Sequence, residues 1–393
     1  MQYRVNPQNG DRLSALGFGC MRFTRRAGVI DQDKANREMK RALDLGVNYF
    51  DTAYVYAGSE ACLGEFMKTY GCRDQIRVAT KLPQYLIRRS EDVEKIFREE
   101  LKRLQTDHVD YYLMHRLNDR KSWERLCGLG IREWIAEKKA SGQIRNIGFS
   151  FHGGAEAFRQ LVDAYGWEFC QIQFNYMDEH AQAGVEGLVY AHEKGLPVII
   201  MEPLRGGRLA NGLNAAAKAA FARVDPARTP VDWALRWIWN HPEVTVVLSG
   251  MNDVSQVEEN SRVASESLPG VLTPEELGAY AGALEALMSS IRVNCTGCGY
   301  CQPCPRGVNI PTCFANYNAS YTDGYINGLR EYFMCTTLRR DRANAGLCVK
   351  CGQCEKHCPQ GIAIRQELEK VKKRFENPLY KAGAAVARKV MKY

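Results

Sequence analysis

The stretch DKANREMKRALDLGVNYFDTAYVYAGSE, residues 33–60, contains one full turn of a pattern that runs through the first two thirds of the chain. A charge-decorated, helix-like segment ends in glycine, a residue that stops helices because it accepts a left-handed backbone. A short apolar, β-rich run then starts at Val47 and closes on an acid, Asp51. The same alternation continues on both sides. Strand-like runs begin at Ser14 (SALGFG), Val47 (VNYFD), Ile76 (IRVATK), Val109 (VDYYLMH), Ile144 (IRNIGFS), Phe169 (FCQIQFN), Pro197 (PVIIMEP) and Val244 (VTVVLSG). Between them lie helix-like segments such as SEDVEKIFREELKRLQ, GGAEAFRQLVDAYG and VEGLVYAHEKG. Eight strands alternating with helices predict an α/β fold, a (β/α)8 TIM barrel. A doubly wound parallel sheet is the competing arrangement, but no G-x-G-x-x-G follows the first strand.

The alternation fades after EENSRVA, and the helix-like TPEELGAYAGALEALMSS leads into a different kind of sequence. The expected boundary lies near residue 285, with a barrel over 1–285 and a smaller, predominantly α-helical domain over 286–393. Five of the fifteen cysteines (Cys20, Cys62, Cys72, Cys127, Cys170) are scattered; eight others form two arrays, CTGCGYCQPCP from Cys295 and CVKCGQCEKHCP from Cys348. In a cytosolic protein such spacing indicates metal rather than disulfides. Thiolates at C-x2-C-x2-C spacing wrap three corners of an iron–sulfur cubane, and the cysteine before proline serves the other cluster. Cys295, Cys298, Cys301 and Cys358 would then hold one 4Fe-4S cluster, and Cys348, Cys351, Cys354 and Cys304 a second. Zinc is the alternative, but a four-thiolate zinc site needs neither the third evenly spaced cysteine nor the Cys-Pro. The Cys301–Cys304 gap is one residue short, which keeps Cys313 and Cys335 as substitutes for Cys304. The spacer between the arrays reads as mostly helical.

In a barrel of this kind the active site forms at the C-terminal strand ends. Asp51 closes the second strand, with Tyr56 five residues on; Lys81 closes the third and His115 the fourth. Each alone has an ordinary explanation, as a helix cap, a half-buried aromatic or a satisfied histidine. Together they suit carbonyl reduction by hydride transfer. Tyr56 donates the proton, Lys81 stabilises the phenolate, Asp51 holds Lys81, and His115 polarises the carbonyl oxygen.

The stretches LGFGCMR, DTAYVYAGSEACLG, ATK, DYYLMHR, IGFS, QIQFN, EPLRGG and SGMNDVSQVEEN, in this order over residues 1–265, resemble the aldo-keto reductase family. The resemblance implies that Asp51, Tyr56, Lys81 and His115 are the catalytic tetrad and that NAD(H) or NADP(H) lies across the barrel mouth. It implies that Ser150 and Gln171 hold the nicotinamide carboxamide. The coenzyme contacts would continue through Met201, Pro203, Leu204, Gly206, Ser249, Gly250, Gln256, Glu259 and Asn260. The sequence departs from the family at four points. Phe151 and His152 follow Ser150 in place of the frequent Ser-Asn continuation, and Met201 replaces a stacking tyrosine. The cations that grip the adenosine 2′-phosphate fall at about Met251 and Gln256, so the choice between NADH and NADPH stays open, with Arg205, Arg208 or Arg262 as compensating cations. The arrays in turn resemble dicluster ferredoxin domains of the α-helical variety.

Nicotinamide gives up electrons as a hydride pair and clusters carry them singly, so a splitter is expected, and FMN at the barrel mouth is the hypothesis. Expected partners are a small-molecule substrate and an external carrier of ferredoxin or flavodoxin type. Two other readings compete: a plain NAD(P)H carbonyl reductase with structural or redox-sensing clusters, and a non-catalytic redox- or nucleotide-sensing subunit. From Ile291 onward 17 Lys+Arg face 7 Asp+Glu, within an overall +8. That excess can attract an acidic partner or merely form a solvated helix face. No nucleic-acid motif accompanies it. Hydrophobic residues at 45% and charged residues at 25% argue against disorder. No apolar run reaches the length of a spanning helix, and the first residues lack a signal layout, so a cytoplasmic location is expected.

Overall fold

A computed structural model describes residues 1–322, 324–338 and 341–390. Arg339, Arg340 and the last three residues of the basic tail lie outside them. Eight parallel strands close into a barrel in sequence order. They are β1 (Leu16–Gly19), β2 (Tyr49–Asp51), β3 (Arg77–Leu82), β4 (Val109–Met114), β5 (Ile144–Phe151), β6 (Phe169–Gln173), β7 (Val198–Met201) and β8 (Val244–Ser249). Each corresponds to one of the eight apolar runs. β8 returns to β1 through the pairs Val247–Leu16 and Ser249–Phe18, which leaves no free sheet edge. A short antiparallel ribbon, Tyr3–Val5 with Arg12–Ser14, precedes the barrel. Among the described residues no helix is long and apolar enough to cross a membrane.

The barrel interior is filled rather than open, as alternate inward side chains require. Leu13, Tyr49, Ala79, Tyr111, Leu113, Phe169, Ile199, Val246 and Leu248 form one buried cluster there. Tyr111 meets Tyr49 at 5.2 Å and Phe169 at 5.0 Å, both edge-on, the arrangement that favours aromatic pairs. Such bulk fits because neighbouring positions are small. A Cβ on Gly148 would lie 2.5 Å from the Phe169 carbonyl oxygen and 2.6 Å from its ring.

The chain divides into two compact units. One comprises 1–204 and 227–274; the other comprises 205–226 and 275–393. The second therefore includes the segment that follows the β7 loop as well as both cysteine arrays. Its α-helices are Arg208–Asn211, Ala215–Ala222, Pro274–Ser290, Ile310–Thr322, Tyr325–Tyr332, Ile364–Phe375 and Pro378–Val390, with Phe333–Thr337 continuing Tyr325–Tyr332 as a π-helical turn. Val308, Ile310, Phe314, Tyr332, Leu368 and Phe375 are among its buried core, and Cys295, Cys301, Cys304, Cys348, Cys354 and Cys358 pack against it. Tyr332 stacks on Phe375 at 4.6 Å.

Two buried polar side chains fix the approach to the arrays. Asn318 accepts from the Arg292 and Val293 amides (3.0 and 2.9 Å) and donates to the Val293 carbonyl at 2.7 Å, just before Cys295. Glu376 accepts from the Tyr332 hydroxyl (2.7 Å), the Gly346 amide (2.8 Å) and the Asn344 side chain (2.9 Å), just before Cys348.

Candidate functional site

The barrel site begins with strand period. Along β3, Thr80 faces the surrounding helices, where its hydroxyl donates to buried Glu60 at 2.7 Å, so the next residue, Lys81, faces inward. Its ammonium donates to Asp51 Oδ1 at 2.5 Å and to the Thr52 carbonyl at 2.8 Å, and it is 1% exposed. The second Asp51 oxygen accepts from Gln171 Nε2 at 3.0 Å. Burial pushes the Asp51 carboxyl above its ordinary range, while Lys81 and Gln171 pull it back.

Tyr56 stands on the loop after β2. The Thr52 amide donates to the Ala79 carbonyl (2.8 Å), and the Ser59 hydroxyl bonds the Thr52 hydroxyl (2.7 Å) and the Cys20 carbonyl (2.8 Å), so both ends of the loop are pinned. Gly58, at φ 77°, makes the left-handed turn into the helix Ser59–Tyr70. The Lys81 ammonium lies 5.4 Å from the Tyr56 ring centre. The His115 ring stands 6.1 Å from the Tyr56 ring at an 89° interplanar angle. The strand-end tetrad is thus one cluster.

His115 is 5% exposed and its Nδ1 has no hydrogen-bond partner. Burial, then the charge of Lys81, holds its pKa well below the usual histidine range, so it is neutral at pH 7 and keeps a single N–H for donation. Around it lie residues that the sequence reading did not assign. Tyr85 is 6.3 Å away, with the Arg116 guanidinium 5.6 Å from the Tyr85 ring. His152, neutral with a pKa lowered to about 4 by burial, shares a hydrogen bond of 3.1 Å with Gln182, which donates to Gln173 at 2.8 Å. The signal for His152 was its place two residues after Ser150; for Tyr85, in the short 3-10 turn Gln84–Leu86, and Gln182, on a loop, there was none.

Ser150 and Gln171 occupy paired positions on β5 and β6. The Ser150 hydroxyl accepts from the Arg116 amide at 2.8 Å. Met201 ends β7, and Pro203 and Leu204 follow in the loop where Glu202 is left-handed at φ 56°. Ser249 ends β8, and its hydroxyl accepts from Asn260 Nδ2 at 3.0 Å, which leaves the buried Asn260 Oδ1 without a partner. Gln256 caps the Asn252 amide at 3.0 Å, and Glu259 accepts from Thr229 at 2.5 Å. The exposed Arg22 borders Gly250, where a Cβ would meet its Cγ at 2.6 Å. Arg262, a compensating cation in the sequence reading, bonds Asp232 (2.8 Å) and Glu266 (2.9 Å).

In the second unit the cysteines surround two cavities. Cys295, Cys298, Cys301 and Cys358 line the smaller, about 20 Å³; Cys304, Cys348, Cys351 and Cys354, with Cys301, line the larger, about 160 Å³. Each wall draws on both arrays. Cys313 is buried and turned to the Ala343 carbonyl at 3.7 Å, and the exposed Cys335 lies 3.9 Å from Glu331. Among the described residues no three His, Cys, Asp or Glu side chains form a group that could hold a single metal ion. A tetrahedral zinc site would need sulfurs within about 3.8 Å of one another, given a Zn–S bond of about 2.3 Å. Burial and neighbouring thiols push Cys301 up to about 12 and Cys354 to about 11, so a cation must displace their protons on binding.

The aldo/keto reductase family model matches residues 15–271, and a 4Fe-4S dicluster domain model matches 294–363. The chain is 29% identical over 310 residues to the uncharacterized oxidoreductase YrpG of Bacillus subtilis, covering 68% of this chain and 92% of that one. It is 29% identical over 286 residues to L-galactose dehydrogenase of Arabidopsis thaliana, covering 68% and 89%. The holo form of aldo-keto reductase AKR11C1 from Bacillus halodurans superposes with a TM-score of 0.59 at 26% identity, covering 72% of this chain and 96% of that one. The chain is an oxidoreductase that belongs to the aldo/keto reductase family, with a 4Fe-4S dicluster domain following its barrel.

Proposed function

We propose that the barrel interconverts a carbonyl and an alcohol at Tyr56, Lys81, His115 and Asp51. Two 4Fe-4S clusters in the C-terminal domain would link that reaction to one-electron carriers. The observation that carries the barrel reading is the buried Lys81–Asp51 pair beside the Tyr56 ring, with a neutral His115 edge-on to that ring. A bound nicotinamide supplies the hydride, and the clusters supply or accept electrons one at a time, two per hydride.

The side chains do the rest. The Tyr56 hydroxyl gives its proton to the carbonyl oxygen as negative charge develops there. Lys81 stabilises the resulting phenolate, and Asp51, fixed by Gln171, keeps the ammonium in place. His115 donates its one N–H to the same oxygen. Ser150 and Gln171, paired on neighbouring strands, would hold a carboxamide, and the orphaned Asn260 Oδ1 suits a donor such as the adenine amine. Arg22, beside Gly250, is a candidate cation for a coenzyme phosphate. The likeness to L-galactose dehydrogenase favours a polyhydroxylated substrate. Cys295, Cys298, Cys301 and Cys358 are assigned to one cluster and Cys304, Cys348, Cys351 and Cys354 to the other, supported by the two cavities they line. FMN at the barrel mouth is retained as the electron splitter.

The plain NAD(P)H reductase is a second reading with its own support. The barrel alone matches about nine tenths of relatives such as YrpG and L-galactose dehydrogenase, so it corresponds to a whole enzyme in those proteins. Anaerobic purification with iron, sulfide, flavin and nicotinamide analysis, followed by turnover assays with reduced viologen or with NAD(P)H, separates the two. Viologen-driven turnover that disappears in Cys351→Ser supports the linked reaction. NAD(P)H turnover undiminished in that variant, with no viologen activity and no flavin, leaves the plain reductase.

A further inference from the structure

The residues after the β7 loop are grouped with the cysteine arrays, not with the strands they follow. The backbone there is unusual. Arg205, Gly206 and Gly207 are consecutive left-handed residues at φ 52°, 66° and 92°. Glycine adopts this freely, but for arginine it costs about 1 kcal/mol or more, so the surroundings must hold it. They do: the Arg205 side chain is fully buried and its guanidinium donates to Asn294 Oδ1. The turn delivers the next side chain to the adjacent residue, where Arg208 Nη1 donates to the Cys295 carbonyl at 3.0 Å. Two guanidinium groups thus grip Asn294-Cys295, at the first cysteine of the first array.

Arg365 borders the other cavity, and its guanidinium is paired with Glu355 at 2.9 and 2.8 Å. Reduction adds one negative charge to a 4Fe-4S cluster. The protein sets its potential through nearby charge, hydrogen bonding and solvent exposure. A guanidinium hydrogen-bonded to a ligand residue's own carbonyl acts through the first two.

We propose that Arg208 is a positioning residue that raises the reduction potential of the cluster held by Cys295, Cys298, Cys301 and Cys358, so that the two clusters differ in potential by design of the β7 segment. This rests on the cluster assignment above, and the experiment keeps the two apart.

Full-length protein is purified anaerobically and titrated with dithionite while reduced clusters are followed by electron paramagnetic resonance. Cys298→Ser and Cys351→Ser assign each signal to its array. Wild-type protein without 4Fe-4S signals overturns the cluster assignment itself. With both signals present, Arg208→Gln is expected to lower the reduced-to-oxidised ratio of the Cys295-side cluster about tenfold at fixed potential, a shift of about −59 mV for one electron. The other cluster stays unmoved, and Arg208→Lys recovers most of the shift. Arg208→Met, which keeps the aliphatic stem, replaces the Gln variant if that variant loses iron. Two retained clusters with unmoved potentials in either neutral variant overturn the inference, as do equal shifts in both clusters.

Discussion

The Lys81 ammonium donates to Asp51 Oδ1 at 2.5 Å and at the same time lies 5.4 Å from the centre of the Tyr56 ring. One buried cation therefore meets two groups, a carboxylate that fixes it and the ring of a phenol. If the proposed reaction holds, Tyr56→Phe removes only the proton donor and is expected to lower kcat about 100- to 10,000-fold, with coenzyme binding and melting temperature near wild type. Lys81→Met also strands Asp51 as an unpaired buried carboxylate, which costs about 3–5 kcal/mol. Adding Asp51→Asn should restore much of that stability without restoring turnover. Steady-state kinetics and chemical denaturation on the four proteins test this. Activity returning together with stability would show that the pair is structural only.

Gly148 approaches the Phe169 backbone and ring so closely that a methyl group has no room. Gly148→Ala is expected to cost about 1–3 kcal/mol through forced shifts in a packed barrel interior. Because the clash lies among the aromatic residues beneath the mouth, kcat at temperatures well below melting should change less than threefold. A thermal melt within 1 °C of wild type would mean that the barrel relaxes more easily than its packing suggests.

The barrel was legible because each strand carries its own apolar run and each helix its own charged face, so local periodicity and global fold agree. Asp51, Lys81 and His115 were legible for the same reason, since a strand end fixes where a polar residue points. His152, Tyr85 and Gln182 were not assigned, because their positions come from the connections after the strands and their contacts join distant segments. The grouping of 205–226 with the cysteine arrays was equally invisible. It depends on three left-handed residues and on bonds to Asn294 and Cys295, nearly ninety positions downstream.

Glu38 supplies a pH dependence whose sign is fixed by burial. Its side chain is 1% exposed, neither oxygen has a hydrogen-bond partner, and Lys34 is 3.8 Å away. Burial pushes its pKa up to about 7, against about 4.3 in an unfolded chain. The folded state therefore holds the proton more tightly. The stability this contributes is complete below about pH 4.3 and is lost as pH rises through 7. Glu38→Gln should match or slightly lower the wild-type melting temperature at pH 5 and exceed it at pH 8. Parallel melting curves for the two proteins from pH 5 to 8 would refute the assignment.

The two cysteine arrays are anchored separately, which predicts separable losses of iron. Asn318 satisfies the Arg292 and Val293 backbone ahead of Cys295, whereas Glu376 gathers Tyr332, Asn344 and Gly346 ahead of Cys348. Asn318→Ala leaves up to three buried backbone groups unpaired, at about 1–3 kcal/mol each. The strain falls on the segment that carries three thiols of the first set and spares the lead-in to the second. Protein carrying Asn318→Ala should retain about half of the wild-type iron and sulfide, lost from the Cys295-side cluster. Glu376→Ala should lose the complementary half, and the two variants should differ in which resonance signal survives. Each cavity, however, is walled by cysteines of both arrays, so on the proposed assignment the surviving cluster must keep its fourth thiol in place while its neighbour empties. If each variant instead loses both clusters together, the two lead-ins act as one cooperative unit, and the separate anchoring by Asn318 and Glu376 has no functional meaning.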